Sequence, residues 1–300
     1  MFFRVLVFWS FSSVVFGQIA QDCFESNNSD SFLDRLVAYY GQVNDEAIND
    51  SSVATFALDV FEWESCDPQS DHRLYFSIMD EAFENKKLSP FEVYSYAVNL
   101  DKLTENDALV LELLRYAADN QYPEAKYSYG VQLLMFPDQM TKNLGLNYIL
   151  ESIDYGYANA AAYLGDLYYF AWHGFTQNKP LALEYYNKSA EMGYTASWYN
   201  VAVIGTELDI KVTDDLIGQL DLLYTDDVEV ASYLGLHFAS LGEFELAIPY
   251  FRTAILLGDK NSFFYLGEIY KELYLDTNEE KYRNYGVYLE IADIFNVDAF

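Results

Sequence analysis

Small and apolar residues recur along the chain at a spacing that predicts paired helices. The triplet Tyr-Leu-Gly ends at Gly165, Gly235 and Gly267, and a close variant ends at Gly130. With Ala202 added, these marked positions are separated by 35, 37, 33 and 32 residues. A nearly constant period of this length is typical of stacked helical repeats, because one helix pair cannot bury its apolar face alone. The pattern predicts an all-α fold, an α-solenoid of about five antiparallel helix pairs.

Each predicted repeat contains two amphipathic helices. Three residues after the marked positions, apolar residues continue the same helix face one turn later. The second helix is clearest in residues 181–190 and 245–254, where aromatic residues and alanines recur at helical spacing. Five residues before the marked positions stand small or β-branched residues, which let neighbouring helices approach closely: Ala125, Ala160, Ser197, Val230 and Ser262.

One repeat carries residues that point to a known family. It contains Gly174-Phe175, Asn178, Ala182, Tyr185-Tyr186 and the run 188–193, and it resembles the Sel-1-like repeat, a relative of the tetratricopeptide repeat. Residues 242–254 look more like the tetratricopeptide form. The resemblance covers roughly residues 109–275. It implies helix pairs in a right-handed superhelix that serves as a protein-interaction scaffold, and luminal members include an adaptor of the ubiquitin ligase in endoplasmic-reticulum-associated degradation.

The first 17 residues have the pattern of a secretory signal peptide. Arg4 precedes an apolar run from Val5 to Phe16, and Val15 and Gly17 are small residues at the expected cleavage site. A membrane anchor is the alternative, but a bilayer span needs about 20 apolar residues and this run is shorter. We therefore expect a mature chain that begins near Gln18 and lies in the endoplasmic reticulum lumen or outside the cell.

The segments on either side of the repeats are expected to cap them. Residues 18–108 are predicted to form an atypical helical N-terminal cap, 109–275 the repeat solenoid and 276–300 a C-terminal helical cap. An extra, degenerate repeat before Gly130 is the alternative, because Ala97 lies 33 residues earlier.

An oxidising compartment favours pairing of the two cysteines. A disulfide between Cys23 and Cys66 is therefore expected, with two unpaired thiols as the alternative. Asn27 and Asn49 begin glycosylation sequons in polar surroundings, which makes them the better candidate acceptors.

Composition and motifs argue against several classes of function. The chain has 17 basic and 47 acidic residues and a net charge of −30, which disfavours nucleic-acid binding and anionic membranes. The three histidines are far apart, and neither a hydrolase elbow nor a phosphate loop is present. We therefore predict no catalytic, metal or cofactor site. The acidic run 214–229 is interpreted as helix caps rather than as a weak calcium site.

The resemblance implies that the first helix of each pair lines a concave groove. Exposed aromatic residues beside acids suit an extended or partly unfolded polypeptide, or a subunit of a membrane-anchored complex. Packing between helices is an equally good explanation of the same positions. The predicted groove residues are the anchors Tyr127, Tyr199 and Phe264, with Asp166, Tyr169 and Glu268 around them.

Two hypotheses follow for the whole chain. The first is a non-enzymatic adaptor in the secretory pathway that recruits substrates for endoplasmic-reticulum-associated degradation. The second is a secreted repeat protein that binds a host or cell-surface protein.

Overall fold

The computed structural model describes residues 57–58, 60–61, 72–104 and 106–295. Over these residues the protein has thirteen α-helices and no β-strand, which confirms the predicted all-α class. The chain divides into two compact units, residues 1–155 and residues 156–300.

The first unit is a series of helices that each pack on the next. Short connections make successive helices antiparallel. The strongest packing is between α4 and α5, and α3 packs on both α2 and α4. The helices are α1 (Arg73–Glu84), α2 (Pro90–Leu103), α3 (Asp107–Asp119), α4 (Pro123–Leu134) and α5 (Gln139–Asp154).

The second unit contains three well-packed helix pairs and one weak pair. The pairs α6–α7, α10–α11 and α12–α13 pack extensively, whereas α8 makes few contacts with the short α9. The weak pair is the repeat that follows Ala202, where Gly205 replaces the usual apolar residue. The helices are α6 (Ala158–Phe170), α7 (Lys179–Glu191), α8 (Ser197–Glu207), α9 (Asp214–Asp221), α10 (Val228–Ser240), α11 (Phe244–Leu256), α12 (Asn261–Thr277) and α13 (Glu280–Phe295).

Local sequence signals start several of these helices. Ser89 and Glu92 form a capping box before α2, with proline at the first helical position. Thr213, just before the acidic run 214–229, caps α9 by accepting a hydrogen bond from the Leu216 backbone, and Asp227 within the run caps α10 by accepting one from Val230. This segment is thus helix α9 and the cap of α10, as the sequence predicts.

The repeat register predicted from the sequence is the register of the core. All five marked positions are buried, and the five positions that precede them by five residues are completely buried. Ala97 on α2 is also completely buried. The small residues therefore lie where the helices approach one another.

The predicted segment boundaries fall inside helices. Position 109 lies in the first turn of α3, and position 276 lies near the end of α12. Helix α13 packs on α12 as the second member of a pair. The signal peptide 1–17 and the residues Cys23, Asn27, Asn49 and Cys66 lie outside the described residues.

Candidate protein-binding face

In the second unit, hydrogen bonds connect the first helices of successive pairs. The Tyr169 hydroxyl on α6 donates to Oε1 of Glu207 on α8 at 2.8 Å. Thr206 on α8 and Tyr233 on α10 join their hydroxyls at 3.0 Å. We call the surface formed by Tyr169, Tyr199, Thr206, Glu207 and Tyr233 the first-helix face. These bonds hold the three helices in one strip, as the stacked-repeat prediction requires.

Tyr169 lies at one end of this face and already binds a cation of its own chain. The Lys179 ammonium lies 6.0 Å from the centre of the Tyr169 ring and 3.3 Å from Oε2 of Glu207. Burial raises the pKa of the Tyr169 phenol, and the hydrogen bond to Glu207 raises it further. The phenol therefore stays protonated and acts as a hydrogen-bond donor at neutral pH.

Tyr199 lies in the middle of the face and is half-buried. Its ring makes an edge-to-face contact with Tyr233 at 6.2 Å, and both rings pack against the apolar cluster of α8 and α10. The Tyr233 hydroxyl also donates to the Ala202 carbonyl at 3.2 Å. Tyr199 is thus partly at the surface and partly packed against the core.

Asp166 lies between the two helices of its own pair. Its Oδ1 accepts a hydrogen bond from the Tyr186 hydroxyl on α7 at 2.5 Å. Burial raises the pKa of Asp166, and the bond from Tyr186 opposes that rise. The structure therefore places this predicted groove acid in a half-buried internal hydrogen bond.

Phe264 and Glu268 lie one turn apart on α12. Phe264 is 57 % exposed and contacts Tyr265 edge-to-face at 5.6 Å. Glu268 is exposed and accepts a hydrogen bond from Lys271 at 2.6 Å. Helix α12 is joined to α10 through Asp259, which accepts from Ser232 at 2.8 Å and from Ser262 at 2.6 Å.

Tyr127 belongs to the first unit, on α4. It is half-buried and lines a cavity of about 200 Å³ between α2, α3 and α4, together with Ser128 and Val131. Leu134, the last residue of α4, is completely buried.

A turn after α6 carries two aromatic residues that sequence reasoning missed. We call residues 170–175 the aromatic turn. Phe170 and Trp172 are 53 % and 43 % exposed, and their rings stack at 5.1 Å with an interplanar angle of 16°. Only the exposure of both side chains distinguishes them from the many buried aromatic residues, and periodicity alone does not reveal exposure in a turn.

The described residues contain no group of three or more His, Cys, Asp or Glu side chains that converges on a metal-sized site. Histidines take part in packing instead: His237 contacts Tyr233 and Phe238, and His173 lies 3.1 Å from the Tyr163 hydroxyl. Across the described part of the chain, every helix is too short or too polar to span a bilayer.

Comparison with known proteins identifies the fold. No family model and no curated protein matches the sequence. A Sel1 repeat protein from Oxalobacter formigenes superposes with a TM-score of 0.51 and 18 % identity, over 80 % of this chain and 99 % of the other. This chain has the Sel1-repeat fold.

A second solved structure supports the same fold. It is a protective antigen present in uropathogenic Escherichia coli strains and displays the Sel1-like repeat (SLR) fold. The TM-score is 0.57 at 19 % identity, and the match covers 74 % of this chain and 49 % of the antigen. The fold predicted from the repeat period is thereby confirmed.

Proposed function

We propose that this protein is a non-enzymatic scaffold that belongs to the Sel1-like repeats and binds polypeptide partners in the secretory pathway. The observation that carries the proposal is the first-helix face, where tyrosine rings from three successive helices and the Glu207 carboxylate form one strip. Tyrosine supplies a large rigid area and a polar tip at a low entropy cost, which suits protein recognition. The Sel1-repeat fold supports it, since such repeats present extended surfaces to other chains.

The finer proposal is an adaptor of the endoplasmic reticulum lumen that recruits substrates for degradation. It combines the signal pattern of residues 1–17 with a net charge of −30, which favours basic partner segments through the association rate. In this environment the mature chain begins near Gln18 and carries the Cys23–Cys66 disulfide. Mass spectrometry of the purified luminal protein, without reduction, tests the cleavage and the disulfide. An intact Met1 contradicts the cleavage, and two alkylated thiols contradict the disulfide.

A secreted protein that binds a host or cell-surface protein is the second candidate. A solved structure with the same fold is a protective antigen present in uropathogenic Escherichia coli strains, which supports this candidate. A tagged chain separates the two candidates. Retention in the reticulum with a ubiquitin-ligase subunit supports the adaptor, whereas accumulation in the medium supports the secreted protein.

The binding face is tested by substitution. Tyr169→Ala removes a large ring from the first-helix face, and Phe264→Ala added to it removes an exposed ring from the next first helix, α12. Proximity labelling in the native cell measures which partners are lost. Leu246→Ala with Leu256→Ala is the matched control, because both leucines are exposed on the second helix α11. Partner labelling that the first variant loses and the second retains supports the face; equal labelling by both variants contradicts it.

A further inference from the structure

The aromatic turn exposes a flat apolar surface that the described residues leave uncovered. The stacked rings of Phe170 and Trp172 are each about half exposed. Tyr163 lies behind Trp172 at 6.4 Å, and Tyr169 packs edge-to-face on Phe170 at 4.8 Å. Large aromatic rings dominate the energy of many interfaces when a partner covers them.

The backbone of this turn is held in an unfavourable conformation. Ala171 and His173 have φ of 57° and 51°, a left-handed region that residues with a Cβ seldom adopt. Two contacts fix the turn: the Tyr163 hydroxyl lies 3.1 Å from Nε2 of His173, and the Phe175 backbone donates to the Trp172 carbonyl at 2.9 Å. Since the rings are preformed, a ligand does not have to order them.

The neighbouring residues show which chemistry such a surface accepts. Tyr169 stands immediately before the turn, and the Lys179 ammonium lies near its ring and pairs with Glu207. The next ring along the chain is Phe170 of the exposed pair. The ring beside this pair thus already contacts a cation whose charge a carboxylate balances.

We infer that the Phe170–Trp172 pair is a docking site for an arginine-bearing segment of a partner polypeptide. The inference rests on the proposed scaffold function and names the chemistry of the partner. The guanidinium group is flat, weakly hydrated and always charged, so it stacks on tryptophan better than an ammonium group does. The charge of −30 on the whole chain attracts such a segment.

The test measures binding of a fluorescein-labelled peptide of alternating arginine and glycine by fluorescence anisotropy. A peptide of alternating lysine and glycine measures attraction by charge alone. We expect the arginine peptide to bind more tightly than the lysine peptide. The double variant Phe170→Leu with Trp172→Leu should bind the arginine peptide about 5- to 10-fold more weakly, because leucine keeps the apolar area but lacks the aromatic ring. Trp172→Phe keeps a ring and should retain most of the affinity.

The matched control is Met135→Ala with Phe136→Ala, two residues in the turn after α4 that are 61 % and 43 % exposed. This variant should bind the arginine peptide as the wild type does. Equal affinity for both peptides, or an unchanged affinity in the double leucine variant, overturns the inference. If the leucine variant still labels the wild-type partners in the cell, the scaffold function stands and only this site is refuted.

Discussion

The ring of Tyr186 lies directly against Gly165, so that a Cβ at residue 165 would be 2.8 Å from Cζ of the ring. Gly235 and Phe251 have the same relationship in the pair α10–α11, with the nearest ring atom also at 2.8 Å. The two glycines therefore do what the repeat pattern predicts: they let the helices of a pair approach until an aromatic ring of the second helix contacts the backbone of the first.

Gly165→Ala should destabilise the protein by about 1–3 kcal/mol. The added methyl group overlaps a ring that is buried and fixed by its bond to Asp166, so it forces a shift in the pair α6–α7. Urea unfolding followed by circular dichroism measures the loss. Gly205→Ala is the control: apart from its chain neighbours and its own helix backbone, none of the described atoms lies within 4 Å of an added Cβ, and the higher helix propensity of alanine should stabilise α8 by up to about 1 kcal/mol. A stable Gly165→Ala variant would contradict the close contact.

Tyr186→Phe should destabilise the protein by about 1–3 kcal/mol at pH 7, since it leaves the half-buried Asp166 carboxylate without its donor. Burial raises the pKa of Asp166, and a carboxyl with a raised folded pKa stabilises most below its unfolded pKa of about 3.9 and loses that contribution as the pH rises. Removing the tyrosine bond raises the pKa further.

The cost of Tyr186→Phe should therefore be smaller at pH 5 than at pH 7. Free energies of unfolding at the two pH values, each taken relative to the wild type, measure the difference. Adding Asp166→Asn should abolish this pH dependence, because the amide does not titrate. A cost that is the same at both pH values would show that Asp166 does not cause it.

Lys126 on α4 is a lysine within the apolar core. It is 2 % exposed, its Nζ lies 2.6 Å from Oε2 of Glu151, and the rings of Tyr148 and Tyr155 lie 5.6 and 5.3 Å from the ammonium. Glu151→Gln should cost about 1–3 kcal/mol, because it removes the charge that balances a buried ammonium.

Lys126→Met should be neutral or stabilising, since methionine fills a similar volume without a charge to desolvate. Thermal unfolding of the Glu151→Gln and Lys126→Met variants measures the difference in stability between them. If Lys126→Met is the more damaging of the two, the rings and the carboxylate together stabilise the ammonium beyond its cost of burial.

Phe264→Ala should change the free energy of unfolding by less than about 0.5 kcal/mol, because the side chain is more than half exposed. Phe251→Ala should cost about 3–5 kcal/mol, since that ring is completely buried against Gly235. Tyr199→Ala should fall between them, as its ring packs on Tyr233. Chemical unfolding of the three variants ranks them; a large loss for Phe264→Ala would mean that this ring is core.

The sequence determined less about the candidate site than about the fold. Tyr169 and Tyr199 were predicted to line a groove; in the structure both lie on the first-helix face, and the Tyr169 hydroxyl bonds to Glu207, which the sequence did not single out. Helical spacing indicates the side of a helix on which a residue lies, but not the neighbour that covers that side. Asp166 lies at the predicted helix position and is nevertheless engaged by the hydroxyl of Tyr186.

The sequence by itself determined the helix pairs and their register, because burial of an apolar face imposes a period that a single chain displays. It also determined that the small residues at positions such as Gly165 lie at close contacts. Only the tertiary structure decided which aromatic rings remain exposed. Phe170 and Phe251 are the same residue type; the second is covered because Gly235 leaves room for it, and the first lies at a turn whose left-handed residues hold it away from the core. The exposure of a side chain depends on which surfaces the folded chain brings together, and residue spacing alone does not determine those contacts.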